Sequence, residues 1–185
     1  MTPINFTANY LKTVYLPQKV SKGIYKPCET SIVEFDTSDK NDIRAIAKAA
    51  SDWENITPGF AYQIFNDAIK DRPFPDILQE HYLGLTTQNS DYEHINPDKL
   101  QGLALFSETT NPENELNWLQ VNPNTNTKSS SSRTYKKVGT ELVNYIKQIT
   151  DKPILVQSAD DAIKFYEKND FRHIDSKHKS ILVWG

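Results

Sequence analysis

Between residues 114 and 158 the chain reads extended, polar, helical and extended in turn, and few sheets accommodate that order. "NELNWLQVN" (114–122) has the composition of a strand, and "KPILVQS" (152–158) is almost continuously apolar, as an interior strand is. Between them Val138, Leu142, Tyr145, Ile146 and Ile149 recur at the three-and-four spacing of a buried helical face. A strand, a crossover helix and a strand in one sheet run parallel with right-handed crossover. Upstream, "HYLGLTT" (81–87) and "LQGLALFSE" (100–108) are extended, and the polar segments "QNSDYEHINPDK" and "TTNPEN" separate the three stretches. Such spacing predicts an antiparallel meander. The expected fold class is therefore α/β (α+β), with a mixed central sheet: the meander first, then the parallel strand pair.

The other elements fit around that unit. "SIVEFD" (31–36) alternates as a strand, and a helix follows with Asp39 or Ser38 as its cap and Ile43, Ile46, Ala47 and Ala50 on its inner face. A second helix is expected over 60–69, with Phe60, Ile64, Phe65 and Ala68 apolar, ending at the prolines of "DRPFPD". Ser158 reads as the N-cap of a further helix, with Asp161 in the capping-box position, and "KSILVWG" (179–185) reads as a last strand. That gives about four helices. The division expected is an arm over residues 1–30, in which "YLKTVYL" can form a short strand, and one domain over 31–185.

Composition sets limits on function. A chain of 185 residues is long enough for one core without metal or disulfide, and a mean hydropathy of -0.62 with no long apolar run excludes a membrane span. A net charge of -3 argues against an extended nucleic-acid surface, which needs cations for several phosphates. The lone Cys28 and an opening, "MTPINFTANYLKTV", without a continuous apolar core point to a reducing, cytoplasmic setting. His94, His173 and His178 show no metal-ligand spacing with one another, so no metal is expected. Monomer and homodimer both remain open.

Against the acidic whole, residues 116–140 contain no Asp or Glu, whereas Lys128, Arg133, Lys136 and Lys137 all fall within them. Gly139 follows at the start of the helix. Unpaired N–H groups and the positive end of the helix macrodipole meet there, and a glycine lets backbone approach a ligand closely, so the expectation is an anion site. The alternative from the residues alone is a solvated basic loop.

Two motifs in order make the chain resemble the GNAT superfamily of N-acetyltransferases. "LQVNP" (119–123) followed by "YKKVGTELV" (135–143) is similar to the family's strand ending in Val-x-Pro and its Gly-x-Gly helix start, with Gly139 at the second glycine and Lys137 at the first. "AIKFYEKNDFRHI" (162–174) is similar to its closing helix and strand, with Asp170-Phe171 in place of a Gly-Phe pair. The resemblance runs from residue 31 to the end, and it implies a GNAT-like fold. Val121 and Gly139 stand eighteen positions apart, longer than is usual, and Ala159 replaces an asparagine that often meets the cofactor.

The resemblance implies acetyl-CoA as co-substrate. Its pantetheine arm would lie along Leu119, Gln120 and Val121, its pyrophosphate over Arg133, Lys136, Lys137, Val138, Gly139 and Thr140, and an N–H near Val121 would meet the thioester oxygen. The reaction implied is direct acetyl transfer to a primary amine of a small molecule or a protein. Tyr166 is the implied acid for the departing thiolate, though a core tyrosine is its bland reading. Glu115 is the candidate base, beside Glu108, His81 and Tyr82, since Asn117 and Trp118 occupy the stretch where the family often has a carboxylate. Trp53, Phe60 and Tyr62 fall where the family shapes its acceptor pocket. The competing function is a catalytically silent module of the same fold that binds acyl-CoA or a protein partner.

Overall fold

A computed structural model describes residues 8–54, 76–125 and 133–185. The expected helix over 60–69, with Phe60 and Tyr62, and Lys128 lie outside the described residues. The fold is α+β, built on a mixed eight-stranded sheet of order β1-β2-β3-β4-β5-β6-β8-β7. The strands are β1 (Asn9–Ser21), β2 (Ile24–Glu34), β3 (Ile77–Thr86), β4 (Leu100–Thr109), β5 (Asn114–Val121), β6 (Ile154–Gln157), β7 (Arg172–His173) and β8 (Ile181–Trp184). Three α-helices occur among the described residues: α1 (Lys40–Glu54), α2 (Val138–Ile149) and α3 (Ile163–Glu167).

All neighbouring strands run antiparallel except β5 and β6, whose parallel pairing accompanies the α2 crossover. The expected boundary after residue 30 falls inside β2. Residues 9–34 form one long hairpin, and its β2 continues into the sheet by pairing Ser31–Glu34 with β3.

Helices cover both faces. Asp39 caps α1, its Oδ1 accepting the Asn41 N–H at 2.6 Å and the Asp42 N–H at 3.2 Å, which satisfies two of the helix's free donors. Ala45, Ile46, Ala49, Ala50 and Trp53 are buried against Val33, Phe35, Leu103 and Leu105. The inner stripe of α1 is thus rotated from the expected one, and Ile43 and Ala47 stand at its margin, half-buried. On the other face Val138, Leu142, Val143 and Ile146 of α2 bury Leu83, Leu85, Phe106 and Leu116. A Cβ on Gly102 of β4 would stand 2.7 Å from Val138 Cγ1 and 2.9 Å from Leu142 Cδ1, so the first turns of α2 lie closer to the sheet than any side chain there allows.

At the third helix the structure corrects the sequence. α3 begins at Ile163 behind Ala162, with no side-chain cap. The Ser158 hydroxyl donates instead to the Ala159 carbonyl at 2.8 Å, so Ser158 is not the N-cap.

Candidate functional site

β5 and β6 part company along their length. Asn114 pairs with Ile154 and Glu115 with Leu155, and beyond these the described residues form no further β5–β6 pairs. β5 nevertheless continues to Val121, held on its other side by β4, where Gly102 pairs with Val121. A backbone edge is left open, and the start of α2 stands over it. The resulting cleft has a volume of about 780 Å³, within the range of small-molecule and cofactor sites.

Every residue assigned to the cofactor from the sequence lines this cleft: Leu119, Gln120, Val121, Arg133, Lys136, Lys137, Val138, Gly139 and Thr140. Tyr166 lines it too, from α3. Lys164 and Lys168 join Arg133, Lys136 and Lys137, so among the described residues five cations border the cleft against one acid, Asp161. In a recessed wall of low dielectric that imbalance draws anions. The sequence reading missed Lys164 and Lys168, which become neighbours of the basic loop only when α3 folds across the sheet.

Two backbone conformations bear on the resemblance. Lys137 has φ 67° and Asp170 φ 64°, both in the left-handed region that favours glycine. These are the two positions that fall opposite glycines in the motifs of the family the sequence resembles. Among the described non-glycine residues, Asp91 is the third with positive φ. Gly139 itself is held by packing, since a Cβ there would stand 3.1 Å from Phe165 Cζ and 3.6 Å from Val121 Cγ1. Phe165 therefore spans the gap between α3 and the helix start.

Tyr166 is buried, 6% exposed, with edge-to-face contacts to Phe165 at 5.1 Å and Phe171 at 5.4 Å. Burial pushes its phenol well above the usual tyrosine range, because a phenolate there is poorly solvated. It both packs in the core and lines the cleft.

The base candidates separate. Glu115 does not line the cleft, but Asn117, which does, donates from Nδ2 to Glu115 Oε2 at 3.3 Å and accepts the Ser107 hydroxyl at 2.7 Å. Asn117 stands at a bulge: Leu105 pairs with Trp118 and Phe106 with Leu116, leaving Asn117 as the extra residue. His81 and Glu108 belong elsewhere, in a chain with Glu34 in which His81 Nδ1 meets Glu34 Oε1 at 2.7 Å and Nε2 meets Glu108 Oε1 at 3.3 Å. Tyr82 is in the core and donates to Glu80 Oε2 at 3.1 Å. Trp53, expected near the acceptor, is 4% exposed in the core between α1 and the sheet.

The loop ahead of α2 is anchored from the far end of the sheet. Lys19 N–H donates to the Thr134 carbonyl at 2.8 Å and Lys136 N–H to the Pro17 carbonyl at 3.0 Å, so residues 134–136 extend the outer edge of β1. Gln18 Nε2 donates to the Tyr135 hydroxyl at 3.1 Å. Among the described residues no group of three or more His, Cys, Asp or Glu is placed to hold a metal ion, and no helix is long and apolar enough to cross a membrane. No protein-family model matches this chain, and no curated protein matches it in sequence.

Proposed function

We propose that the protein is an acetyl-CoA-dependent N-acetyltransferase of GNAT-like fold that acts on a primary amine. One observation carries this reading: the parallel strands β5 and β6 open beyond Glu115, and a cation-lined helix start stands over the opening. A cleft of this shape suits a long, narrow ligand with an anionic end. Amide-like groups of a pantetheine arm match the backbone groups of residues 119–121, and a diphosphate matches the N–H groups at Val138 to Thr140 with Arg133, Lys136 and Lys137 around them. The left-handed backbone at Lys137 and Asp170 supports the same reading, because both bends survive the loss of the glycines.

When bound, acetyl-CoA supplies a thioester-activated acetyl group. The residues of this chain hold and orient it and manage the protons. Tyr166 keeps its hydroxyl proton through the neutral range and donates a hydrogen bond from Oη to the departing sulfur, stabilising the thiolate until it takes a proton from solvent. Asn117 fixes Glu115 beside the bulge, where the Glu115 carboxylate takes a proton from the incoming amine through intervening water. Phe165 and Tyr166, packed edge to face at 5.1 Å, form part of the cleft wall.

The silent-module reading draws on Lys137, Ala159 and the recessed Glu115. Thiol release from acetyl-CoA, followed across a panel of small amines and lysine peptides, decides between them. An amine-dependent rate that drops in Tyr166→Phe supports transfer, whereas tight CoA binding with no amine-dependent release leaves only the binding module.

A further inference from the structure

The β1–β2 hairpin extends well past the sheet it belongs to: only Ser31–Glu34 of β2 pair with β3, while residues 24–30 have β1 as their strand neighbour. Its protruding end makes contacts that a sheet edge does not require. The Tyr25 hydroxyl donates to the Arg133 carbonyl at 3.1 Å, and the Lys136 ammonium sits 3.6 Å above the Tyr25 ring centroid. One side chain thus holds the backbone of one cleft cation and the charge of another.

We propose that Tyr25 is a positioning residue for the anion site, fixing Arg133 and Lys136 so that the end of the hairpin belongs to the machinery that receives the diphosphate of coenzyme A. The inference rests on the cofactor reading above. A lysine on a flexible four-carbon stem loses rotamer entropy when a ligand orders it, and a partner that has already ordered it removes that cost. The ring does so without neutralising the charge, as a carboxylate would, because a cation over an aromatic face keeps its full charge for an incoming anion. The main-chain bonds from Lys19 and to Pro17 set the path of the loop, and Tyr25 sets the charges along it.

Calorimetric titration with CoA and with pantetheine, which lacks the phosphates, tests this on the wild type, Tyr25→Leu, Tyr25→Phe, Lys136→Met and the Tyr25→Leu/Lys136→Met double variant. Tyr25→Leu is expected to weaken CoA about tenfold and leave pantetheine unchanged, and on the Lys136→Met background its effect should shrink to about threefold. Tyr25→Phe, which keeps the ring and loses only the Arg133 contact, should weaken CoA about threefold. Equal losses for CoA and pantetheine, CoA binding as tight as wild type or tighter, or an undiminished effect on the Lys136→Met background overturns the proposal. Should Tyr25→Leu fail to fold, Tyr25→Phe decides by the same contrast between the two ligands. A wild type that binds no CoA overturns the cofactor reading itself, and this inference with it.

Discussion

Lys137 adopts a left-handed backbone in the position immediately before α2, and its Cβ has no favourable place there. For an L-residue that conformation costs roughly 1–2 kcal/mol, while glycine returns part of the gain as unfolded-state entropy. Lys137→Gly is therefore expected to stabilise the fold by about 0.5–1 kcal/mol, a rise of roughly 2 °C in Tm for a chain of this size. Lys137→Ala removes the charge and keeps the Cβ, so it should give no such rise, and differential scanning calorimetry on the pair separates the two effects. Tyr166 poses the opposite question, since the side chain proposed to serve the chemistry is also packed in the core. Tyr166→Phe keeps the ring and its contacts with Phe165 and Phe171, and turnover should fall about 10²-fold with CoA affinity nearly unchanged. An unchanged turnover with a stability loss of about 1 kcal/mol instead would make Tyr166 a core tyrosine and nothing more.

Among the elements, the start of α2 is set by two close approaches, Gly102 beneath it and Phe165 across it. The second makes a simple substitution ambiguous, because a side chain at 139 meets Phe165 before it meets a ligand. Gly139→Ala should displace the ring and weaken CoA binding, and Phe165→Ala in the same chain should restore part of it, a coupling readable in a double-mutant cycle. The pieces of this site were legible in the sequence to different degrees. β5, α2 and β6 were clear because the period changes from extended to 3.6 and back between Asn114 and Gln157, and burial keeps each pattern strict. The β1–β2 hairpin reads as an arm in sequence because prolines and aromatics are scattered through it, and its exposure in the fold explains why no strict alternation marks its strands. Pro17 and Pro27 face each other where the Pro17 carbonyl turns outward to accept the Lys136 N–H, and β2 at that level has no β3 beside it, so the missing N–H groups take no bond from the β1–β2 ladder. Lys22-Gly23, with Gly23 at φ 78°, is the sequence signal from which the hairpin turn could have been found. Lys164, Lys168 and Tyr25 carried no sequence mark at all, because only the folded chain brings them to the basic loop.

For the whole molecule, two buried ionisable groups make stability fall as pH rises. The Glu34 carboxylate hydrogen-bonded to His81 raises that histidine above its ordinary range, aided by Glu108 and opposed by burial. Its contribution is complete below the unfolded value of about 6.5 and is lost as pH climbs through the raised folded value. Burial raises Asp42 to about 6, with Asp39 and Asp36 adding repulsion and the backbone N–H groups of Asp36 and Ala8 opposing it. Asp42 Oδ1 has no hydrogen-bond partner among the described residues, so the charged form is disfavoured in the fold and stability decreases as pH rises from about 4 to about 6. Both signs agree. Thermal unfolding should show a higher Tm at pH 5.5 than at pH 8, and Asp42→Asn with His81→Gln should flatten that difference.

The same instrument reaches the central claim, that the opened sheet and its cations form a coenzyme A site. A ligand at a hundred times its Kd stabilises by about 2.7 kcal/mol, which for a chain of this length is roughly 5–10 °C in Tm. Titration with acetyl-CoA is expected to raise Tm by that amount, with NAD and ATP at equal concentration giving far less. No rise with millimolar acetyl-CoA or CoA, or an equal rise with ATP, would contradict the account.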